Sequence, residues 1–586
     1  MTPANRCPPD KQPLPNCPPP EAVTDSRIEA LYESRTWIKP NQLTFDPIEV
    51  GKQAEINVKS ATAKFVGVRY QDAIDSLAAK IWIIENAEHT IDLVYYIYRN
   101  DLSGRAIMGA LCDAVERGVD IRFVVDSIGS LTLAKSDMRA LESCQLNAGF
   151  MRSAAGDLTV HKARIQTVIF NSITRIGTSP NRRSHDKLLV VDGNFPSKGI
   201  AMIGGRNIAM DYFGFKEDGS RNPKTYFDAE LLVANAENLG SSDKTVTKSA
   251  ETYFTLLFYF KGNKPVTIAA GGDIAARYAG QRRDFRANLA KLKGFSAFNR
   301  RYSSMQAYMN TGFRAIDVRF AHEFGNLINK RVVRNAMENM ERNPNSIARL
   351  LVADDEIQET TVRLVSPYYF LARYKNRDGE VVLDEAQRIL SWLEEDPERR
   401  LEILTNSIIT SDNFGAQSVV DMDTAPRLLM SEEMQQRWLK DPAGTEFNAD
   451  FLSSKEWTDM VQNPQIAVYE TGRSDSRLLA GDVDYGKMHA KFIITDRYGF
   501  VGTSNFDYRS RLYNNEAGYF FSGDELLADM NADFDYLKQQ SYLWGSPEWL
   551  EMRQKLVKKG GSKGKAVKAQ RRHYKILRFT GLKWLF

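Results

Sequence analysis

The sequence is poor in the residues that build metal sites and in long apolar runs. Its 586 residues include four cysteines and six histidines, and no Cys/His spacing matches a zinc-binding motif, which excludes a zinc-stabilised module. No run is long and apolar enough for a helix that crosses a bilayer, and the first residues lack the charged-then-apolar pattern of a signal peptide. With 43% hydrophobic and 26% charged residues, the composition is typical of a globular protein.

The few cysteines occur in two settings. Cys7 and Cys17 flank a stretch within residues 1–20, which hold eight of the 21 prolines, so we expect an extended, poorly ordered tail. These two cysteines could pair in an oxidising compartment. Cys112 lies on the apolar part of a predicted helix and Cys144 near the end of another, and we expect both to be buried free thiols.

Two segments more than three hundred residues apart carry the same unusual arrangement of charged residues. Each reads His-x-Lys-x4-Asp and continues into a Gly-rich stretch that ends in Asn. Their members are His185, Lys187, Asp192 and residues 204–207 in the first segment, and His489, Lys491, Asp496 and residues 502–505 in the second. Side chains two apart on a strand point to the same face. Each segment thus presents one imidazole beside one ammonium group, and two such pairs could converge on one phosphodiester.

These residue types suit phosphodiester chemistry. Two lysines can neutralise the nonbridging oxygens, and hydrogen bonds can come from the Gly-rich stretches, in which we single out Gly205, Asn207, Thr503 and Asn505 as substrate-binding candidates. One neutral histidine can attack phosphorus, and the other, protonated, can donate to the leaving alkoxide. The chemistry requires no metal and no other cofactor. The alternative is that both histidines are partly buried strand residues without a catalytic role.

The paired motifs resemble those of the phospholipase D superfamily, whose members carry one His-Lys-Asp motif in each half of a pseudo-twofold chain. The resemblance covers most of residues 75–545 and is strongest to bacterial cardiolipin synthases of the C-like branch. It is supported by residues 91–98, 101–104, 117–119, 405–407 and 505–510. The sequence departs from the usual six residues between the motif Asp and the following Gly, with eleven in the first copy and five in the second.

The resemblance also implies roles for four acidic residues. A histidine nucleophile needs one ring nitrogen free and the other held by an acceptor, and Asp228 and Glu516 match the family's acceptors by position. Asp192 and Asp496 lie at the far end of each strand from the histidine, so we expect them to form structural salt bridges. The resemblance favours His185 as the nucleophile.

A repeated order of elements predicts the fold. Each half starts with an apolar strand, at 91–98 and 362–370, and continues with a helix and a second strand. Strands that alternate with helices predict an α/β fold, here two pseudo-twofold-related α/β/α halves packed face to face with the active site at their interface. The expected divisions are a Pro-rich tail (1–45), the first half (46–240), a helical insertion (241–345), the second half (346–550) and a basic, aromatic C-terminal tail (551–586).

The C-terminal segment has the strongest compositional bias. Residues 553–586 contain twelve Lys and Arg and no acidic residue, which leaves residues 1–552 with a formal charge of −8. Interleaved basic and aromatic residues suit an anionic membrane surface, although a solvated disordered tail and nucleic-acid binding are alternatives. We expect a monomer that binds phospholipid and membrane but no nucleic acid. We place it at the bacterial cell envelope or periplasmic face, with the cytoplasmic face and secretion left open.

Taken with the motifs, the resemblance implies phosphatidyl transfer through a phosphohistidine, with phosphatidylglycerol or a similar alcohol as acceptor and cardiolipin as product. The same chemistry with water as acceptor would make a phospholipase D, which could be secreted. A nuclease is a third possibility, but the acidic body disfavours it because a polyanionic substrate requires a basic groove. A membrane-binding protein without activity would have degraded motifs, and both motifs here are intact.

Overall fold

A computed structural model describes most of the chain. It covers residues 18–38, 57–172, 174, 181–237, 244–268, 273–328, 336–352, 358–376, 378–440, 449–473 and 487–585. The predicted pairing of Cys7 with Cys17 and most of the Pro-rich stretch lie outside these residues.

Twenty strands occur in the described chain. They are β1 Asn57–Val66, β2 Thr90–Tyr95, β3 Asp120–Asp126, β4 Phe150–Arg152, β5 Leu158–Lys162, β6 Ile165–Phe170, β7 Lys187–Val191, β8 Ile200–Gly204, β9 Glu230–Asn235, β10 Lys264–Pro265, β11 Arg314–His322, β12 Thr361–Val365, β13 Arg373–Lys375, β14 Val381–Asp384, β15 Arg400–Thr405, β16 Ile466–Thr471, β17 Phe492–Thr495, β18 Gly499–Gly502, β19 Ala517–Ser522 and β20 Ser541–Leu543.

The same part of the chain contains 21 α-helices. They are α1 Ser26–Ser34, α2 Tyr70–Glu85, α3 Leu102–Glu116, α4 Lys135–Ser143, α5 Val246–Phe258, α6 Ile274–Gly294, α7 Ser296–Ser303, α8 Met305–Asn310, α9 Gly325–Ile328, α10 Ala336–Arg342, α11 Ile347–Val352, α12 Glu385–Glu395, α13 Phe414–Val419, α14 Ala425–Leu429, α15 Glu432–Lys440, α16 Ala449–Leu452, α17 Lys455–Val461, α18 Tyr508–Leu512, α19 Asp524–Gln539, α20 Pro547–Lys559 and α21 Gly561–Thr580.

Sixteen strands form one sheet with an internal repeat. Its order is β10-β6-β3-β2-β7-β8-β9-β1-β11-β19-β18-β17-β12-β15-β16-β20. In the first half β2 is parallel to β3 and antiparallel to β7, and in the second half β12 is parallel to β15 and antiparallel to β17. The predicted pair of related α/β halves is confirmed. The halves are also joined edge to edge, because β1 and β11 pair at the centre of the sheet.

Local sequence explains why the first repeated unit forms. The Asp101 side chain accepts the Gly104 amide at 3.1 Å and so caps the start of α3. Just after the helix, Gly118 has φ +100°, and a Cβ there would come within 2.2 Å of the Phe150 carbonyl oxygen, so only glycine fits this turn. β2 and β3 are buried along their whole length, as expected for strands with both sheet faces covered.

The region predicted as a helical insertion contains helices and one central strand. α5 is part of the core, with Tyr253, Phe254 and Leu257 buried. α6 packs on α3, where a Cβ at Gly109 would lie 2.7 Å from the Phe285 carbonyl oxygen. β11 lies in the same region, and it is the strand that connects the two halves.

The N-terminal region includes an ordered helix. Directly after α1, the buried Arg35 guanidinium donates to Asp92 and Asp120 of the first half and to Glu251 of α5. The expected extended tail therefore does not include residues 26–35.

Cys112 and Cys144 form a disulfide bond, so the prediction of free thiols is wrong. Both residues are buried, as expected, but their Cα atoms lie 5.2 Å apart, a separation that suits a disulfide. The bond joins α3 to the residue that follows α4. Sequence spacing did not show that these helix ends meet, because their approach depends on how both helices pack.

The C-terminal segment is folded onto the second half rather than forming a tail. The buried Arg553 of α20 lies 3.0 Å from Asp421, and Gln570 of α21 donates to the same carboxylate at 2.6 Å. Tyr574 donates to Asp423 at 2.6 Å. Asp421 and Asp423 lie on a π-helical turn, Val420–Thr424. This buried polar cluster fixes both helices and excludes a fully solvated segment.

Candidate active site

The two motif histidines lie at the interface of the halves. The His185 amide, just before β7, donates to the carbonyl of Asn515 at 2.9 Å, and the His489 amide, just before β17, donates to that of Phe227 at 2.7 Å. Each motif is therefore held by backbone from the opposite half. The sequence-based prediction of a site between the halves agrees with this arrangement.

Each histidine is paired with a buried carboxylate from the opposite half. The Nδ1 atom of His185 lies 3.0 Å from Glu516 Oε2, and the Nδ1 atom of His489 lies 2.7 Å from Asp228 Oδ2. Both carboxylates are fully buried. A carboxylate that accepts Nδ1–H fixes the ring and its tautomer and leaves Nε2 for a substrate.

The two motif lysines are buried beside the histidines. Lys187 Nζ donates to the His185 carbonyl at 2.5 Å, and Lys491 Nζ donates to the His489 carbonyl and lies 2.9 Å from His489 Nδ1. The charge of Lys187 lowers the pKa of His489, and that of Lys491 lowers the pKa of His185. The four groups thus form a single electrostatic unit across the interface.

Burial shifts the pKa of every group in this unit. It lowers the pKa of both histidines well below the ordinary value, with a further contribution from the two lysines. It lowers the pKa of Lys187 to about 8 and that of Lys491 to about 7. It raises the pKa of Asp228 to about 6 and that of Glu516 to about 7. The imidazoles are therefore neutral near pH 7, and their carboxylate partners can hold a proton.

Gly205 and Thr503 support the two carboxylates. A Cβ at Gly205 would lie 1.9 Å from Asp228 Oδ1, so the absence of a side chain makes room for this carboxylate. Thr503 Oγ1 donates to Glu516 at 2.6 Å, and the Thr503 carbonyl lies 3.1 Å from His185 Nδ1. In the structure these two residues position the histidine partners.

The two asparagines expected to bind substrate lie in different surroundings. Asn207 Oδ1 accepts the Ile97 amide at 3.1 Å and its Nδ2 donates to the Tyr212 hydroxyl at 2.9 Å, so its amide supports the site wall. Asn505 Nδ2 donates to Asp507 at 3.3 Å, whereas its buried Oδ1 has no hydrogen-bond partner in the described chain.

Asp192 and Asp496 accept hydrogen bonds from backbone amides and, within the described chain, do not form the expected salt bridges. Asp192 accepts the backbone amides of Glu88, His89 and Thr90. Asp496 accepts the amide and hydroxyl of Thr360 at 3.2 and 3.1 Å. Asp192 therefore caps the backbone at the start of β2 and Asp496 at the start of β12. In the described structure neither carboxylate pairs with a basic side chain.

Sequence reasoning missed several side chains around the histidines. The Tyr96 ring lies 4.8 Å from that of His185, and the Tyr212 ring lies 5.4 Å from that of His489. Near His489, Asp412 accepts the Tyr368 hydroxyl and lies 3.6 Å from Lys487. Tyr96 falls inside the recognised 91–98 stretch, but no spacing rule distinguishes it from core tyrosines.

The chain is similar in sequence and in fold to known proteins. The family description "Cardiolipin synthase, PLD-like domain" matches residues 81–219 and 405–538, one region in each half. The solved structure of phosphatidylserine synthase from Haemophilus influenzae Rd KW20 superposes with a TM-score of 0.52 at 14% identity, over 92% of this chain and 100% of that one. The two matched regions of this chain are therefore similar to the PLD-like domain of that description. This match agrees with the resemblance to the phospholipase D superfamily that the paired motifs predicted.

Two curated relatives show the extent of the sequence similarity. Cardiolipin synthase C of Escherichia coli (strain K12) is 32% identical over 158 residues, which are 25% of this chain and 28% of that protein. A cardiolipin synthase of Listeria monocytogenes serotype 4a (strain HCC23) is 30% identical over 211 residues, which are 35% and 39% of the two chains. Each match therefore spans well under half of the relative's own length.

Proposed function

We propose that this protein is a phosphatidyltransferase that moves a phosphatidyl group from one phospholipid to an alcohol of a second lipid, with cardiolipin as the product. The proposal rests on one observation above all: two His–carboxylate pairs, exchanged between the halves, lie with two buried lysines in one unit. This arrangement supplies a nucleophile, a general acid and a cationic environment for a phosphodiester.

In the first step Nε2 of one histidine, which we assign to His185, attacks phosphorus. The bond from phosphorus to the leaving alkoxide breaks, and the second histidine, His489, which is protonated at both ring nitrogens once the anionic phosphodiester is bound, donates its Nε2 proton to that oxygen. In the second step neutral His489 takes the proton from the acceptor hydroxyl, whose oxygen attacks phosphorus as the P–N bond breaks. Glu516 and Asp228 hold the two Nδ1–H groups, and Lys187 and Lys491 balance the phosphate charge.

Product analysis tests the proposal. The purified protein is incubated with phosphatidylglycerol vesicles, and separately with phosphatidylcholine vesicles to which phosphatidylglycerol is added in steps. We expect cardiolipin to form and to increase with phosphatidylglycerol. If phosphatidic acid is the only product at every acceptor level, the protein is a hydrolase of the phospholipase D type and the proposed transfer is wrong.

Trapping the covalent intermediate tests the assignment of the nucleophile. Acid-free quenching during turnover, followed by peptide mapping, should place the phosphoryl linkage on the peptide that contains His185. A label on the His489 peptide would reverse the two assignments and leave the transfer itself unaffected.

We propose further that α21 binds an anionic membrane surface. Ile576, Phe579 and Leu582 are 47, 93 and 45% exposed. Exposed basic residues accompany them: Lys565, Lys568, Arg572, Lys575 and Arg578. Such a mixture suits the headgroup boundary of an anionic bilayer. In the described chain no helix has the length and apolarity to cross a membrane, so contact at the surface is the form we propose.

The position of α21 supports this role. Lys563 in its first turn donates to the Ser411 carbonyl at 3.1 Å. Lys563 also interacts electrostatically with Lys487 and Asp412. Asp412 in turn acts on His489. The first turn of α21 therefore lies on the His489 side of the site, and a membrane bound along this helix would lie on that side.

We place the protein on the extracytoplasmic side of the cell envelope. The Cys112–Cys144 disulfide supports this location, because such bonds form and persist in oxidising compartments and are rare in the cytosol. Thiol trapping in intact cells should find both cysteines oxidised. Full alkylation of the two thiols before any reductant is added would contradict the proposed location.

A further inference from the structure

A buried carboxylate lies inside the first motif, between its histidine and its lysine. Asp186 is fully buried. Its Oδ2 atom accepts hydrogen bonds from Asn515 Nδ2 at 2.7 Å and from the Ser184 hydroxyl, and its Oδ1 atom accepts the Tyr253 hydroxyl at 2.8 Å. The three donors belong to the segment before β7, to α5 and to the second half. Asp186 therefore joins three separate parts of the chain at one point.

Asn515 connects this network to the active site. Its backbone amide donates to the Arg183 carbonyl at 2.8 Å, and its carbonyl accepts the His185 amide at 2.9 Å. The next residue in the chain is Glu516, whose carboxylate lies 3.0 Å from His185 Nδ1. A contact that fixes Asn515 thus fixes both the backbone of His185 and the carboxylate that orients its ring.

The second motif has the same backbone pairing without the polar network. The His489 amide donates to the Phe227 carbonyl at 2.7 Å, and the Phe227 amide donates to the Lys487 carbonyl at 2.9 Å, so Phe227 takes the place of Asn515. The residue between the motif histidine and lysine is Ala490. Because alanine and phenylalanine carry no polar side-chain atom, the two motifs differ in how their histidines are supported.

A histidine that attacks phosphorus requires a narrowly defined ring orientation, since a displacement of about 1 Å costs about a hundredfold in rate. We propose that Asp186 is a positioning residue that fixes the orientation of the His185 ring. Together with Tyr253 it holds Asn515, and it thereby holds the adjacent Glu516 against the ring. The inference rests on the proposed histidine chemistry. It also makes α5, which lies outside the two predicted halves, part of the support of the active site.

A double-mutant cycle with Glu516 tests the inference. Hydrolysis of a soluble phosphodiester is measured for Asp186→Ala, for Glu516→Gln and for the double variant. We expect Asp186→Ala alone to lower kcat/KM by about tenfold to a hundredfold, as loss of a buried hydrogen-bonded carboxylate implies. It should have little further effect once Glu516 is replaced, because residues that act through one another are not additive. In the Asp228→Asn background its full effect should remain.

The Nδ1 chemical shifts of the two motif histidines separate positioning from a general loss of structure. They are measured by NMR in ¹⁵N-histidine-labelled protein and assigned with His185→Ala and His489→Ala. In Asp186→Ala we expect the His185 signal to move, because its hydrogen bond to the carboxylate is disturbed, and the His489 signal to stay. This measurement needs no turnover, so it decides the inference even if the proposed transfer function is wrong.

Two further variants complete the design. Asp186→Asn keeps one acceptor oxygen and should retain part of the rate, and it replaces Asp186→Ala in every measurement if that variant does not fold. Glu142→Gln on α4 is the matched control, since Glu142 is a buried carboxylate that accepts the Thr167 amide at 3.1 Å. We expect this control to leave kcat/KM and both histidine signals unchanged.

Three results would overturn the inference. An unchanged kcat/KM in Asp186→Ala would show that the network does not serve the site. A full further loss of rate in the Glu516→Gln background would show that Asp186 acts independently of Glu516. Movement of both histidine signals, or of neither, would assign Asp186 to the fold alone.

Discussion

At the level of single residues, the active site depends on side chains that each half supplies to the other. Asp228 from the first half holds His489, and Glu516 from the second half holds His185. Neither half contains a complete histidine–carboxylate pair on its own. We infer that correct assembly of the two halves is a condition for any chemistry at this site.

Replacing either motif histidine should abolish turnover. His185→Ala removes the proposed nucleophile and His489→Ala the proposed acid and base, so each should lower the rate by about a thousandfold or more. The rate is measured with a soluble phosphodiester, and circular dichroism checks the fold. His161→Ala, at a histidine that packs on Tyr32 away from the site, serves as the control. Near-normal turnover in either folded motif variant would contradict the shared site.

The pH dependence of kcat/KM should be bell-shaped with a maximum near pH 7. Because burial raises the pKa of Asp228 to about 6 and that of Glu516 to about 7, both are protonated at lower pH and cannot accept Nδ1–H. Because burial lowers the pKa of Lys491 to about 7 and that of Lys187 to about 8, their charge is lost at higher pH.

Rates are measured from pH 5 to 9 on a soluble phosphodiester, a range that spans these values. The residual activity of Asp228→Asn should have a weaker acid limb than that of the unmodified protein. A flat profile across the range would show that these groups do not control turnover.

At the level of elements, two connections stabilise regions that the motifs do not include. The disulfide joins α3 to the end of α4, and the Asp421 cluster fixes α20 and α21 to the second half. Both connections are buried. We expect loss of either connection to lower the free energy of unfolding of the half that contains it. We expect the turnover rate of the folded protein to change little.

Removal of the disulfide should destabilise the first half by about 4 kcal/mol, the value expected for a loop of 32 residues in the chain-entropy account. The Cys112→Ala, Cys144→Ala double variant is compared with the unmodified protein by urea denaturation, with and without reductant. We expect the variant to be insensitive to reductant and the unmodified protein to approach it once reduced. Identical midpoints for all samples would contradict a stabilising bond.

Arg553→Met should destabilise the second half by about 3 kcal/mol or more, because it leaves the buried Asp421 charge without its cationic partner. The matched control is Lys555→Met on the same helix, an exposed lysine paired with Glu551, for which we expect a change of about 0.5 kcal/mol or less. Equal effects of the two substitutions, measured by denaturant titration, would show that the buried cluster does not hold α20.

At the level of the whole molecule, one sheet carries both halves and places the site where they meet. β1 and β11 connect the repeats, and α21 runs from the contact of Lys563 with Ser411 to the exposed Phe579. Residues 553–586 carry +12 against −8 for the rest of the chain. This asymmetry would turn the α21 side of the molecule toward an anionic surface.

Vesicle binding should depend on the exposed apolar side chains of α21 and of Leu582, which follows this helix. Substitution of Ile576, Phe579 and Leu582 by serine should weaken binding to phosphatidylglycerol vesicles, and raised salt should release the unmodified protein only partly, since apolar burial is not screened. Sedimentation with vesicles measures both effects. Val381 and Val382 on β14, 43 and 45% exposed, give a matched serine control. Equal binding of both variants would place the membrane contact elsewhere.

The sequence by itself determined the elements and the paired motifs. The strand predicted at 91–98 is β2, Thr90–Tyr95, because the apolar pattern of a strand depends on near neighbours in the chain. The carboxylates Asp228 and Glu516 were assigned by resemblance, since no local pattern connects them to histidines more than 200 residues away.

Only the tertiary structure decided which distant residues meet. It paired Cys112 with Cys144, gave Asp192 and Asp496 backbone partners instead of salt bridges, and packed the basic C-terminal segment on Asp421. Composition indicated a solvated or membrane-bound tail, because it gives the positive charge of residues 553–586. It does not show that buried carboxylates such as Asp421 pair with residues of this segment. Such contacts depend on how helices and strands pack in three dimensions, and this packing cannot be read from the order of residues along the chain.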